Sequence, residues 1–285
     1  MKTKGKLPTP TVFEEIASYW SEIADANNTE EQINFLTKVI KVDGLVLDLA
    51  CGTGRHAAKL GKKGYRVVGL DLSRRLLQMA KEKALEAGIT TMLVRADMRF
   101  LPFCSEVFAS VVSLDSSYGY LPSEKEDLQS FKEVSRILRN RGVFLIDLFN
   151  GAKFAKRHEE RLYFNFWSLI FGLLLRFHQI AYLFRWRDYP SFRLLQKRSL
   201  TDRKRKLRDL WVIQDKKTGK IAIYRHVVRL YVSMRLDSIL RDAGFQSTRF
   251  YGDYSGQGYS EYSKRLAVIA RKQKEDTNAR PHYDA

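Results

Sequence analysis

The stretch Leu45–Asp71, LVLDLACGTGRHAAKLGKKGYRVVGLD, constrains the fold more than any other part of this chain. An unbroken apolar run, Leu45–Leu49, enters a glycine-rich turn, and apolar residues at helical spacing follow before Gly61 and Gly64. A second apolar run then ends at Asp71. This order of strand, turn, helix and strand predicts a parallel βαβ unit.

The same unit predicts a binding site for a ligand that contains a nucleoside. Glycines allow backbone amides to approach a ligand closely, and the free amides at a helix N-terminus favour an anion. A carboxylate at the end of the next strand, here Asp71, can accept both hydroxyl groups of a ribose. The turn Gly52–Ala57 also satisfies the loose dinucleotide fingerprint, so a nicotinamide-linked oxidoreductase is an alternative.

Two further acidic residues separate these alternatives. Asp48 lies inside the first strand, where a dinucleotide-binding protein usually has an apolar residue and where a carboxylate could meet a ligand's ammonium group. The third predicted strand ends at Asp97 and Met98, which offer a hydrogen-bond acceptor and an apolar wall to an adenine edge. The sequence shows no companion motif for a nicotinamide half. These features favour a nucleoside cofactor other than a dinucleotide.

The motif Asp48-Leu-Ala-Cys-Gly-Thr-Gly54, with Asp71, Asp97 and Leu114–Tyr120, resembles the class I S-adenosylmethionine-dependent methyltransferases, and more narrowly their small-molecule-type branch. The resemblance extends over most of the chain. It implies an α/β fold with a doubly wound seven-stranded sheet, in the order 3-2-1-4-5-7-6, whose last strand is antiparallel. It also implies S-adenosyl-L-methionine as cofactor, and with that cofactor the reaction is methyl transfer by in-line displacement. The antiparallel meander and the apolar segment that follow the fifth strand favour a small or lipid-like acceptor.

The resemblance assigns roles to individual residues. The turn Asp48–Gly54 would hold the methionine part of the cofactor, Asp71 the ribose hydroxyls, and Asp97 with Met98 the adenine. The predicted cofactor-binding residues are Tyr19, Asp48, Ala50, Cys51, Gly52, Gly54, Asp71, Leu72, Asp97, Met98 and Leu114. The predicted substrate-pocket residues are Tyr118, Tyr120, Arg229 and Tyr231. No catalytic base and no metal ligand is assigned, and His56 and His226 are interpreted as structural residues.

The expected organisation is a core interrupted by an insertion. The regions are a tail at 1–11, a cofactor-binding core at 12–150, an inserted helical and antiparallel cap at 151–232, the completion of the core sheet at 233–271 and a tail at 272–285. Within the cap, three strands are expected at Leu194–Leu200, Leu207–Asp215 and Ile221–Leu230. The predicted helix N-caps are Thr29 with Gln32, Ser73, and Ser123 with Glu126.

The segment Trp167–Trp186 is strongly apolar, yet its composition argues against a membrane-spanning helix. About ten Leu, Ile and Phe side chains would contribute roughly −3 to −6 kcal/mol to insertion. Arg176 alone costs about 2.5 to 3.5 kcal/mol, and His178 and Arg185 add to that. The pattern instead predicts an interfacial helix at 161–187 that contacts an anionic membrane surface or an apolar substrate. A buried helix of the cap, or a contact between subunits, is the alternative.

The charge of the chain leaves the acceptor open. Fifty basic residues against thirty-two acidic ones give a net charge of +18, which favours an anionic partner unless most of these side chains are simply solvated. An RNA methyltransferase is therefore an alternative, although no separate RNA-binding module is recognisable, and a non-catalytic cofactor-binding protein is a further one. Cys51 and Cys104 lack metal-ligand spacing, and the first ten residues lack an apolar core. We expect a cytoplasmic protein, or one peripheral to a membrane.

Overall fold

The computed structural model describes residues 9–27, 29–40, 43–156, 186–201 and 205–272. The helices are α1 Thr9–Glu15, α2 Ala17–Asp25, α3 Thr29–Val39, α4 Arg55–Lys62, α5 Arg74–Glu86, α6 Glu124–Ile137 and α7 Ser233–Asp242, with a further helical segment at 151–156. The strands are β1 Leu45–Leu49, β2 Arg66–Asp71, β3 Met92–Arg95, β4 Phe108–Ser113, β5 Leu138–Phe149, β6 Trp186–Asp188, β7 Phe192–Thr201, β8 Lys206–Asp215, β9 Ile221–Arg229, β10 Phe245–Tyr251 and β11 Arg265–Lys272.

The core sheet positions the site. In the described part of the chain it has seven strands, in the order β10-β11-β5-β4-β1-β2-β3. The five strands β1 to β5 run parallel, whereas β11 pairs antiparallel with both β5 and β10. Counting core strands alone, this order is 3-2-1-4-5-7-6, so the predicted topology is confirmed. Because parallel strands end at the same edge of a sheet, the loops after β1, β2, β3 and β4 meet on one side.

The central strand β1 is apolar because both of its faces are covered. Leu47 and Leu49 pack into a core cluster that contains Phe131 of α6. Val46 packs on the opposite face of the sheet, with Leu36 of α3 and with residues of α4. Burying one such side chain stabilises the fold by about 1.5 to 3 kcal/mol. The helical layers on both faces therefore fix the position of the turn that follows β1.

A second, antiparallel sheet is inserted between β5 and α7. In the described residues it has four strands, in the order β6-β7-β8-β9. The three predicted strands are confirmed as β7, β8 and β9, and the short strand β6 was not predicted. Trp186 and Arg187 pair with β7 and are not the end of an interfacial helix, because Tyr189 donates to the Phe192 carbonyl and turns the chain into a hairpin. The rest of the predicted helix at 161–187 lies outside the described residues. The domain boundaries remain a prediction.

The apolar inner face of this second sheet packs on the N-terminal helices. Phe192 and Trp211 lie in one buried cluster with Val12 and Ile16. This packing places β8 and β9 over the carboxyl edge of the core sheet, next to α1 and α2. Within the described residues, no helix combines the length and the apolar character that a membrane span requires.

Two of the three predicted helix caps are confirmed. The Ser73 hydroxyl accepts the Leu76 N–H at 3.1 Å, and Ser123 forms a capping box with Glu126 at the start of α6. The prediction for Thr29 and Gln32 was wrong. Thr29 is the first residue of α3, and its hydroxyl accepts a hydrogen bond from Arg55, while the Gln32 side chain is used elsewhere. These buried tertiary partners replace the local cap.

Candidate active site

A first cavity lies at the carboxyl edge of the core sheet, under Phe13 of α1 and Trp20 of α2. Nine of the residues predicted to bind the cofactor line it: Asp48, Ala50, Cys51, Gly52, Asp71, Leu72, Asp97, Met98 and Leu114. They come from the ends of β1, β2, β3 and β4, which are separated in sequence. The structure therefore gathers the three strand-end carboxylates around one space.

The turn between β1 and α4 depends on left-handed backbone. Ala50, Gly52 and Gly54 have φ angles of 59°, 55° and 69°. A Cβ atom on Gly52 would meet only the Trp20 Nε1 atom, at 3.7 Å, so a side chain there would occupy the first cavity. A Cβ atom on Gly54 would lie 2.8 Å from the Ala80 Cβ atom and 3.2 Å from its Cα atom. Gly54 does not line the cavity but permits α4 to pack on α5.

Asp48 is a buried carboxylate with unused hydrogen-bonding capacity. Its side chain lines the first cavity, the residue is 1% exposed, and its Oδ2 atom has no partner among the described residues. Burial raises the pKa of Asp48 to about 7, although the nearby Arg55 guanidinium and the backbone of Ala57 oppose that shift. An unsatisfied buried polar group costs about 1 to 3 kcal/mol, and more when it is charged. A ligand cation beside Asp48 would favour the ionised carboxylate.

Asp71 and Asp97 are held in different ways. Asp71 accepts the Gly52 N–H and the Ser73 N–H, each at 2.9 Å, so it ties the turn after β1 to the end of β2. Burial nevertheless raises the pKa of Asp71. Burial also acts to raise the pKa of Asp97, but the hydrogen bonds that Arg99 donates outweigh it and the pKa is lowered. Asp97 is therefore ionised and Asp71 is more readily protonated.

The turn after β4 is strained and firmly fixed. Asp115 and Ser116 have φ angles of 58° and 65°, a region that residues other than glycine seldom adopt. The Asp115 N–H donates to Oδ2 of Asp147 at 3.1 Å, and the Ser116 N–H donates to the Asp147 carbonyl at 2.9 Å. Arg265 pairs with the same Asp147 carboxylate. Such strain persists where the surrounding structure enforces it, commonly at functional sites.

Gln32 joins several of these elements, a role that its position in the sequence does not indicate. Its Nε2 atom donates to Asp115 at 3.0 Å and to the Tyr254 hydroxyl at 2.9 Å. Its Oε1 atom accepts from Arg55 at 3.0 Å and lies 2.8 Å from Nε2 of His56. Burial holds the pKa of His56 well below its usual value, so His56 is neutral and donates to Gln32.

A second cavity lies between the core sheet and the inner face of the four-stranded sheet. Trp20, Asp115 and Tyr120 line both cavities, so the two spaces adjoin. Asp209, Trp211 and His226 line the second cavity and are 2%, 4% and 5% exposed. Each has a buried atom without a partner in the described structure: Asp209 Oδ1, Trp211 Nε1 and His226 Nδ1.

Tyr19 and Tyr118 are not brought to either cavity. Tyr19 makes an edge contact with Phe192, the ring centroids being 4.9 Å apart. Tyr118 is fully buried, stacks on Phe131 at 4.5 Å, and shares a 2.9 Å hydrogen bond with Ser130. Tyr118 is therefore a core residue packed against α6, whereas Tyr19, on α2, is partly buried against the second sheet.

Arg229 and Tyr231 are also absent from the lining of both cavities. Both contact the buried carboxylate of Asp127: Arg229 forms an ion pair, and the Tyr231 hydroxyl donates at 2.6 Å. Burial raises the pKa of Asp127, and these two donors act against that shift. Of the four predicted substrate-pocket residues, Tyr120 thus lines the two cavities in the described structure, and the other three line neither.

Comparison with known proteins agrees with this geometry. Residues 46–142 match the family described as a methyltransferase domain. A putative methyltransferase of Bacillus subtilis, YqeM, is 24% identical over 264 residues, which is 92% of this chain and 98% of the relative. The crystal structure of an S-adenosylmethionine-dependent methyltransferase from Clostridium acetobutylicum superposes with a TM-score of 0.70 at 17% identity, over 92% of this chain and 99% of that one.

Residues 46–142 therefore form a methyltransferase domain, and the family match, the relatives and the fold together support an S-adenosylmethionine-dependent methyltransferase. A further relative of the methyltransferase, from Parasynechococcus marenigrum, is named a glycine/sarcosine N-methyltransferase. It is 29% identical over 139 residues, which is 47% of this chain and 49% of the relative. S-adenosyl-L-methionine is the cofactor of the methyltransferase.

The first cavity fits this cofactor. The unpartnered Oδ2 atom of Asp48 suits an ammonium group, and the space that a Gly52 side chain would fill lies open beside the turn. Met98 and Leu114 supply apolar walls of the kind that an adenine ring requires. The Asp71 carboxylate at the end of β2 can accept the hydroxyl groups of the ribose.

Proposed function

We propose that the methyltransferase transfers a methyl group to a small polar acceptor that binds in the second cavity. The first cavity would hold the cofactor, with Asp48 at the ammonium group, Asp71 at the ribose hydroxyls, and Asp97 and Met98 at the adenine. When bound, S-adenosyl-L-methionine supplies a methyl carbon that is already activated for in-line displacement. The protein then has to align the acceptor, and such alignment can be worth about 7 to 11 kcal/mol.

The observation that carries this proposal is the shared wall between the cavities. Trp20, Asp115 and Tyr120 line both of them. An acceptor in the second cavity therefore adjoins a cofactor in the first. The fixed turn at Asp115 and Ser116 keeps this wall in place without large movement of the backbone.

The lining of the second cavity favours a polar acceptor over a lipid. Asp209 offers a free carboxylate oxygen, Trp211 a free N–H, and His226 a free ring nitrogen. An acyl chain would satisfy none of these groups, and leaving them unpaired in an apolar contact is costly. The name of the glycine/sarcosine N-methyltransferase relative supports an acceptor of this size and polarity.

The alternatives differ in what they require. A lipid-like acceptor or a contact with an anionic membrane depends mainly on residues 161–187, most of which lie outside the described residues. An RNA acceptor depends on the net charge of +18 and predicts binding that weakens steeply with salt.

The test is a transfer assay with cofactor labelled in the methyl group. Purified protein is incubated separately with a small polar metabolite fraction, a lipid extract and RNA. Label should appear in the small polar fraction, and Asp209→Asn should lower that transfer at least tenfold while calorimetry shows unchanged cofactor affinity. Asp215→Asn, at the end of the same strand and outside the lining of the second cavity, is the matched control. Label in lipid or RNA, or full transfer by Asp209→Asn, would contradict the proposal.

A further inference from the structure

His226 lies in an enclosed part of the second cavity. Aromatic rings surround it at centroid distances of 5.3 Å for Trp211, 5.8 Å for Tyr120 and 6.4 Å for Phe13. Its Nδ1 atom is buried and has no partner in the part of the chain that the structure describes, although the residue lines the cavity. A buried ring nitrogen of this kind costs free energy unless a ligand satisfies it.

The charge of Asp209 favours one tautomer of the imidazole. Asp209 and His226 are direct cross-strand partners, and Nε2 of His226 lies 3.8 Å from Oδ2 of Asp209. The negative charge favours the tautomer with its proton on Nε2, which leaves the lone pair on Nδ1. Oδ2 of Asp209 is itself fixed, because Gln196 donates to it at 2.7 Å and Arg198 at 2.9 Å.

The charge state of His226 suits a proton acceptor. The titratable and charged groups that face it are Asp209 on β8, Arg198 on β7 and Tyr120 after β4, and α1 contributes the ring of Phe13. Burial lowers the pKa of His226 below 6.5, Asp209 opposes this shift, and Arg198 adds to it. The ring is therefore neutral at pH 7.

Neighbouring groups are less suited to accept a proton. Burial and the charge of Asp209 raise the pKa of Tyr120, so its phenol keeps its proton and can only donate. Asp209 holds Arg198 and Gln196 through Oδ2, and its free Oδ1 can accept a hydrogen bond that positions the acceptor.

Resting on the proposed function, we infer that His226 is the general base of the methyltransferase and that its substrate attacks through a hydroxyl or amine that still carries a proton. Nδ1 of His226 takes this proton as the nucleophile forms its bond to the methyl carbon. The bond between the methyl carbon and the sulfur breaks, and its electron pair stays on the sulfur. The resulting imidazolium is stabilised by Asp209 and passes its proton to water when the product leaves.

The inference can be tested first without any acceptor, by NMR on the full-length protein with ¹⁵N-labelled histidine. His226→Gln, or His226→Asn if the first variant does not fold, identifies the His226 signals. The expected spectrum shows the neutral Nε2–H tautomer at pH 7.5 and a protonation midpoint below 6.5. Asp209→Asn should move that midpoint to lower pH, and Arg198→Gln to higher pH. An Nδ1–H tautomer, or a midpoint that neither variant moves, would overturn the inference.

The second measurement is the pH profile of transfer to the small polar metabolite fraction. The wild-type rate should fall as the pH drops through the NMR midpoint. His226→Gln should be slower by roughly 100- to 10,000-fold and lose that acid limb, while its cofactor affinity is retained. Arg225→Gln, an exposed neighbour on β9, should match the wild type.

The outcomes separate the two proposals. A His226→Gln rate within tenfold of wild type would overturn the role of His226 and leave the proposed function intact. Absence of transfer to every fraction, together with the predicted NMR behaviour, would count against the polar acceptor and leave the assigned state of His226 standing.

Discussion

Cofactor binding should depend on pH through Asp48. This carboxylate is buried, one of its oxygens has no partner, and burial raises its pKa to about 7. If Asp48 binds the cofactor's ammonium group as a carboxylate, the protonated form must lose its proton before binding. Binding should therefore release a proton below pH 7, and affinity should rise with pH.

The size of the effect follows from the pKa. With half of Asp48 ionised at pH 7 and about one part in a hundred at pH 5, affinity should be roughly 50-fold weaker at pH 5. That ratio corresponds to about 2.3 kcal/mol. The pH range of this prediction ends at pH 7 because the cofactor's own α-amino group begins to lose its proton above it, with an ordinary pKa of about 7.7 to 8.0.

The assay is titration calorimetry with S-adenosyl-L-methionine at pH 5, 6 and 7, in buffers of different ionisation heat so that proton release is counted. Asp48→Asn should bind more weakly at pH 7 and lose most of the pH dependence. A wild-type affinity that changes less than threefold between pH 5 and pH 7 would refute the role given to Asp48. So would an undiminished pH dependence in Asp48→Asn.

The same carboxylate should make the cofactor-free protein less stable at higher pH. The folded-state pKa of Asp48, about 7, lies above that of an unfolded aspartate, so its contribution to stability is present at low pH and is lost as the pH rises through 7. Between pH 5 and pH 8 the wild type should lose about 2.5 kcal/mol relative to Asp48→Asn. Denaturant unfolding of both proteins at the two pH values measures this difference.

Three further substitutions test the site and its surroundings. Gly54→Ala adds left-handed backbone strain and a clash with α5, and should lower the free energy of unfolding in urea by about 2 to 5 kcal/mol. The control Gly64→Ala, at a φ of 85° with open space around it, should lower it by about 1 to 2 kcal/mol. Tyr231→Phe removes a hydrogen bond to buried Asp127 and should cost about 1 to 3 kcal/mol of stability with the rate of methyl transfer unchanged. Slower transfer at unchanged cofactor affinity would place Tyr231 in the substrate pocket. Asp71→Asn should weaken cofactor binding about 10- to 150-fold by calorimetry, and a loss well under tenfold would contradict its assignment.

The first cavity could be predicted because its chemistry is local in sequence. Each strand-end acid follows its own apolar run, and parallel topology alone brings Asp48, Asp71 and Asp97 to one edge. The glycine turn between β1 and α4 is likewise contiguous. The role of Gly54 in packing α4 on α5 could not be predicted, because its contact Ala80 belongs to the next helix.

The second cavity could not be predicted from the sequence in the same way, because its polar groups come from elements that are distant in the chain. Gln32 meets Tyr254 across 222 positions, and no periodic pattern marks either residue. One signal was available and unused: the turn at Lys217–Gly219 fixes a register in which Asp209 faces His226. The substrate-pocket predictions for Arg229 and Tyr231 rested on position in the chain, which does not reveal that both side chains contact the buried Asp127. Tyr118 likewise packs on Phe131, a contact that its loop position does not indicate.

The wall formed by Trp20, Asp115 and Tyr120 gives the two ligands a common boundary. A ligand that tilts the Tyr120 ring or shifts the Trp20 indole alters the neighbouring compartment as well as its own. Whatever factor the cofactor applies to acceptor affinity, the acceptor must apply to cofactor affinity, because this coupling is thermodynamically reciprocal. The enzyme can therefore favour the ternary complex over either binary one without any communication across the rest of the fold.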